Sequence, residues 1–168
     1  MLYLKLFLLY SIIGFTFESN VYKISNSNNH SGILYGPYTI IYGFGGILSF
    51  YTNNKLDVIT NPYLNLLICY ILFTILCTIT ELIGGYLINK IFKIDKWNYT
   101  NHKYHFGKYI CLDYALIWGI LSLLFVKLSN NFFIKVSDLI PSYIAIITLI
   151  ILIIDYIITI YTKTKIRN

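Results

Sequence analysis

Residues 63–92 run for thirty positions with only two charged side chains, Glu81 and Lys90. A helix rises 1.5 Å per residue, so about 20 apolar residues cross a hydrocarbon core of roughly 30 Å. This block exceeds that length, and others resemble it: residues 2–23, 38–51, 112–128 and 143–161. Charges and asparagines gather between the blocks. Such a chain has too little polar surface to cover a soluble domain. It is 57% hydrophobic and 12% charged, with mean hydropathy +0.67, against roughly 25% charged residues in soluble domains. The pattern predicts an all-α, polytopic transmembrane helix bundle of about five membrane segments, forming one integral membrane domain over residues 1–168. The segment at 38–51 is short and is expected to be broken or re-entrant.

Pro62 and Pro141 precede two of the blocks, where a missing N–H costs nothing. "TNNK" (52–55) and "LSNNF" (128–132) read as breaker-rich connections. With five spans, Lys23, Lys90, Lys93, Lys96, Lys103, Lys108, Lys163, Lys165 and Arg167 share one side. Lys5, Lys55, Lys127 and Lys135 share the other. The positive-inside rule then places the 90–108 loop and the C-terminus in the cytoplasm. The opening apolar run lacks a small-residue cleavage site before "GFTFESN" and reads as a retained helix of a bacterial cell-membrane protein. Tyrosines near block ends, among them Tyr3, Tyr63, Tyr143 and Tyr161, suit the headgroup region. The net charge of +6 is spread over block ends, which fits a lipid bilayer and not nucleic acid. Cys69, Cys77 and Cys111 lack CxxC spacing and read as packing residues.

Chemistry is sought first at the acids. Glu18, Glu81 and Asp155 lie within or near the ends of apolar blocks, and Asp113 begins one. An acid at the centre of a membrane helix costs about 2.5–3.5 kcal/mol on insertion scales, so a partner, a proton or a wet cavity must offset it. Helical spacing puts Ser11 and Gly14 on the face of Glu18, and Thr74, Cys77, Thr78 and Gly85 on that of Glu81. Thr148, Thr159 and Thr162 accompany Asp155; Tyr42, Gly45, Gly46 and Ser49 line the short block. These small, polar stripes are expected to face one another in the bundle.

The two halves also echo each other. "SIIGFTFES" surrounds Glu18 and "TILCTITEL" surrounds Glu81. Each is followed by a glycine-started piece, from Gly32 and from Gly107, that reaches an aromatic–glycine pair: Tyr42-Gly43 and Trp118-Gly119. Internal repeats of this kind occur in transporter folds.

"GPYTIIYGFGG" (36–46) satisfies neither the dinucleotide nor the P-loop pattern, so its glycines are read as allowing close helix approach. In the loop "KWNYTNHKYHFGK" (96–108), Trp97, Tyr99 and Tyr104 suggest contact with the membrane surface. His102 and His105 have no acid or cysteine nearby in sequence, so no metal site and no cofactor is expected. The Asn-x-Ser/Thr triplets at Asn29 and Asn98 are taken as accidental.

The motifs "GFTFES" (14–19), "GILYGPYTIIYGFG" (32–45), "TELIGGYLINKIF" (80–92), "WNYT" (97–100) and "GKYICLDYALIWGIL" (107–121) occur in the order seen in a known family. The chain resembles the small bacterial membrane proteins of the CmpB-type ABC-transporter permease family. The family pattern has Arg where Ser31 stands, Pro for Ile40, Asp for Asn98 and Asn for His105. The resemblance implies a multi-span permease-like transporter component.

Its substrate or ion pathway would include Glu18, Tyr42, Gly43, Gly45, Glu81, Asp113, Trp118 and Asp155. Trp97, Asn98 and His105 would mark the cytoplasmic loop on which a cytosolic ATPase subunit docks. A homo-oligomer is a further expectation. Two other readings stay open. One is a membrane-embedded enzyme on lipid or polyprenyl substrates, with Glu18 and Glu81 as acid and base; the other is a non-catalytic membrane scaffold subunit.

Overall fold

The computed structural model describes residues 1–25 and 30–165, without the side chains of residues 164 and 165. Asn29, Arg167 and the side chain of Lys165 lie outside the described residues. Among the described residues the regular elements are helices, apart from one short hairpin. Its elements are α1 (Leu2–Ile24), α2 (Ile40–Leu56), α3 (Pro62–Phe92), β1 (His105–Phe106), β2 (Ile110–Cys111), α4 (Leu112–Ser122), α5 (Asn130–Leu139) and α6 (Ser142–Lys165). After α4, Leu123–Leu128 winds as a π-helix. The Ser129 N–H donates to Leu124 O, five residues back, at 3.2 Å.

Among the described residues, three helices are long and apolar enough to cross a membrane: Leu2–Ile24, Pro62–Phe92 and Ser142–Lys163. The bent pair Leu112–Leu128 and Asn130–Leu139 makes a fourth if it forms one span. α2 is a continuous helix of 17 residues, about 25 Å long, and is not among them. No break interrupts it. The α3 start is built as its sequence suggests: Pro62 opens the first turn, and the Asn61 side chain accepts from Tyr63 N–H at 3.0 Å and Leu64 N–H at 3.1 Å. Along α6, Ile146, Ile150, Ile153 and Ile157 are among many apolar side chains left about half exposed. Water would penalise such a surface; lipid does not.

Some connections differ from expectation. Residues 52–55 continue α2 instead of ending it, with Asn53 buried. Helix-propensity losses at Thr and Asn are only about 0.7 kcal/mol or less per residue, and packing overrides them. The 128–132 stretch breaks the chain only at Ser129, after which α5 forms. Neither α5 nor the β1–β2 hairpin is evident in the apolar pattern.

The fold divides into two compact units. The first comprises Met1–Phe44 and Phe133–Asn168, the second Gly45–Phe132. In the first, Leu8, Ala145 and Leu152 form a core against which Leu4, Phe7, Leu34, Tyr38, Ile40 and Ile140 pack. Tyr10 meets Phe133 edge-on at 5.5 Å. In the second, α3 and α4 lie side by side, and Phe50, Cys69, Phe73 and Val126 are buried.

Candidate functional site

α3 carries Glu81 to a position where 4% of the residue is exposed. The loop after α3 folds back over it. Tyr99, buried in that loop, donates its hydroxyl to Glu81 Oε1 at 2.8 Å, and the Trp118 indole on α4 also interacts with the carboxylate. Neither partner carries a formal positive charge. Burial, with the neighbouring Glu81 charge adding to it, pushes the Tyr99 hydroxyl well above the usual phenol range, so it stays a donor. Polar groups continue inward: Cys77 Sγ lies 3.1 Å from Ser122 Oγ, which lies 3.3 Å from Ser49 Oγ on α2. Gly45 lies against Cys77.

The loop itself is tied down by Asp95, which accepts from Lys108 Nζ at 2.5 Å, Asn89 Nδ2 at 2.8 Å and Tyr109 Oη at 3.2 Å. The Lys108 ammonium holds the Asp95 carboxyl below its ordinary range. Trp97 donates its indole N–H to Tyr109 O at 3.3 Å. Asn98 accepts from Thr100 N–H at 3.0 Å, and His105 Nδ1 lies 2.8 Å from Gly107 O, so both serve the loop's own turns. Of the aromatics expected at the membrane surface, Tyr104 is exposed, Trp97 is half-buried and Tyr99 turns inward. The turn at 99–102, with His102 N–H donating to Tyr99 O at 2.9 Å, and the hairpin register His105↔Cys111 bring His102, Cys111 and Asp113 together. One donor atom from each lies within 4.8 Å of the others.

In the other unit, Glu18 on α1 is half-buried and accepts from Tyr22 Oη at 2.9 Å and Ser31 Oγ at 2.8 Å. Ser31 Oγ is 3.0 Å from Thr39 Oγ1. Where the family resemblance expects an arginine, a hydroxyl thus meets the carboxylate. Asp155 on α6 accepts from the backbone N–H groups of Tyr35 at 3.1 Å and Gly36 at 2.7 Å, and from Thr159 Oγ1 at 3.0 Å. It holds the 35–36 loop. Glu18 and Asp155 therefore belong to the first unit, Glu81, Asp113 and Trp118 to the second.

The sequence echo has a structural counterpart. Ser11, seven residues before Glu18, donates to Phe7 O at 2.8 Å; Thr74, seven before Glu81, donates to Tyr70 O at 2.8 Å. Gly43 packs so closely on Ser11 Oγ and the Phe7 ring that a Cβ would collide with both; Gly119 does the same on Thr74 Oγ1 and the Tyr70 ring. Tyr42, beside Gly43, lies against Gly14. The glycines that start the two pieces share a left-handed backbone, φ 64° at Gly32 and 65° at Gly107. Each unit thus builds a carboxylate above the same aromatic–hydroxyl–glycine contact. Spacing makes the helix half of this arrangement legible, whereas the hydroxyls of Ser31 and Tyr99 depend on loop folding and are not.

A family model described as "Putative ABC-transporter type IV" matches residues 5–162, most of the chain. The chain belongs to this family. Its apolar helices and its membership of the type IV family make it a membrane protein of the ABC-transporter class. No curated protein and no solved structure matches it.

Proposed function

We propose that this type IV family member is the membrane-embedded component of a transporter, and that Glu81 is a reversible proton or cation site on its pathway. The observation that carries this reading is the burial of Glu81, 4% exposed, among neutral hydrogen-bonding partners. A buried carboxylate needs a proton or a counter-ion, and intramembrane acids of this kind mark ion paths and proton relays. Glu18, above the same helix–glycine contact, is the corresponding group of the first unit. The polar line through Cys77, Ser122 and Ser49 supplies hydroxyl and thiol partners along α3.

The whole chain acts as one integral membrane domain with a carboxylate-containing interior in a bacterial cell membrane. α2 dips in as a short fifth segment, and the C-terminus is cytoplasmic. Nothing in the chain matches a nucleotide-binding loop. Energy would come from a cytosolic ATPase docked on the basic 90–108 loop, where Asp95 and Lys108 fix the surface, or from an ion gradient. Family membership supports this partner.

Tagged protein drawn from membranes in mild detergent should bring down a stoichiometric P-loop ATPase, identified by mass spectrometry. Recovery of the chain alone, together with no ion flux in liposomes, refutes the transporter reading. Glu81→Gln should abolish flux while leaving elution from a sizing column unchanged; wild-type flux in that variant removes the role of Glu81.

A further inference from the structure

We propose that His102, Cys111 and Asp113 form a binding site for a thiophilic divalent cation of the zinc class. Their ring nitrogen, thiol sulfur and carboxylate oxygen converge within 4.8 Å of one another. Nitrogen, sulfur and oxygen donors in this combination suit zinc or cobalt, whereas a thiolate disfavours magnesium and calcium. The convergence also separates this reading from a Cys–His–Asp catalytic relay. In a relay the imidazole stands between sulfur and carboxylate; here those two atoms themselves lie within 4.8 Å of each other.

Bonds of about 2.0–2.3 Å in a tetrahedral site put ligand atoms about 3.3–3.8 Å apart. His102 Nδ1 and Asp113 Oδ2, at 3.6 Å, already meet that spacing. The remaining closure falls to the two exposed partners, since the side chains of His102 and Asp113 are 37% and 58% exposed. Cys111 is fully buried and forms the floor.

The backbone explains why the three meet although they are far from any recognised ligand spacing. β1 pairs His105 with Cys111, Leu112 N–H donates to Tyr104 O at 2.9 Å, and the turn at 99–102 returns His102 toward the hairpin's end. Asp113 follows two residues after Cys111, in the first turn of α4. The His102 ring is set by edge contacts, each 5.5 Å between centroids, with Tyr99 and Tyr114. Three protein ligands with an open mouth leave a fourth position for water or an incoming group. Metal binding would release the Cys111 thiol proton to solvent.

Cobalt(II) alone, titrated into the purified full-length chain in detergent, is the direct probe. One equivalent should produce a near-ultraviolet sulfur-to-cobalt absorption band that zinc abolishes by displacement. Cys111→Ser should lose the band entirely, although Cys69 and Cys77 remain. His102→Gln, at a half-exposed position, should fold normally and weaken cobalt binding by about tenfold or more. No band in the wild type overturns the proposal, and so does a band that survives Cys111→Ser. A His102→Gln chain that binds cobalt as the wild type does overturns it equally, even if Cys111→Ser fails to fold.

Discussion

Removing one hydroxyl tests the architecture around Glu81. Tyr99→Phe keeps the ring stacked on Tyr114, at 4.8 Å and 17°, and keeps its edge contact with His102. What it deletes is the 2.8 Å bond to Glu81 Oε1. Interhelical hydrogen bonds in membrane proteins average only about 0.6 kcal/mol, with a maximum near 1.7. A buried polar group left without its partner costs about 1–3 kcal/mol. Glu81 is 4% exposed and cannot recruit water without moving the loop, so the second figure governs, and Tyr99→Phe should cost about 1–2 kcal/mol.

Glu81→Leu instead strands both the Tyr99 hydroxyl and the Trp118 indole N–H, and should cost more. With both changes the Tyr99 orphan is gone and only the Trp118 indole N–H is left, as in Glu81→Leu alone, so the double variant should be more stable than the sum of the singles by about 1 kcal/mol. Glu81→Gln retains an acceptor and should cost less than either. Reversible unfolding by a denaturing detergent in mixed micelles, followed by circular dichroism, measures the cycle. Coupling below about 0.5 kcal/mol, the range of independent sites, refutes the reasoning.

Gly119→Ala should destabilise the chain, because overpacking costs about 1–3 kcal/mol against a helix-propensity gain of about 1. The new Cβ would meet Thr74 Oγ1 and lie 2.9 Å from the Tyr70 ring. Gly45→Ala, whose Cβ would sit 3.5 Å from Cys77 Sγ, should be neutral or stabilising by up to about 1 kcal/mol in the same unfolding assay. Asp155→Asn keeps one acceptor for two backbone donors and should cost about 1–3 kcal/mol; faster chymotryptic cleavage at exposed Tyr35 would report it. For the Asp95 carboxyl, held below its ordinary range by Lys108, the unfolded chain takes up the proton first. Its contribution is complete at neutral pH and disappears as pH falls through the folded value. Tryptophan emission of the wild type and of Asp95→Asn should therefore differ at pH 7 and converge in acid.

The apolar blocks were readable because a bilayer tolerates few charges, and because Asn61-Pro62 is a local start signal that tertiary packing does not overrule. The far end of α2 was not. Asn53 and Lys55 look like loop residues, yet the helix carries them because Asn53 is packed inside. Within the candidate site, legibility follows helical period. Thr74 and Glu81, or Ser11 and Glu18, sit at spacings that fix them on one face before any fold is known. Tyr99 carries no such signal, since its inward turn is decided by the Asp95 anchor and the hairpin. The convergence of His102, Cys111 and Asp113 is illegible in the sequence for the same reason: nine residues and a strand pairing separate the first from the second. Cys111, read as packing, is buried as expected but stands in chemical company that linear spacing cannot reveal.

The bonds that Asp155 makes to Tyr35 and Gly36 join positions 119 and 120 residues apart, and Lys163 Nζ adds another to Ile33 O at 2.6 Å. During synthesis the first unit must therefore wait for the last helix, while residues 45–132, a compact unit continuous in sequence, are complete much earlier. Assembly in the translocon is consequently staggered. The half bearing Glu81 can mature while the Tyr35–Gly36 loop still lacks its anchor, and a ribosome that stops before α6 would leave the second unit complete and the first unclosed.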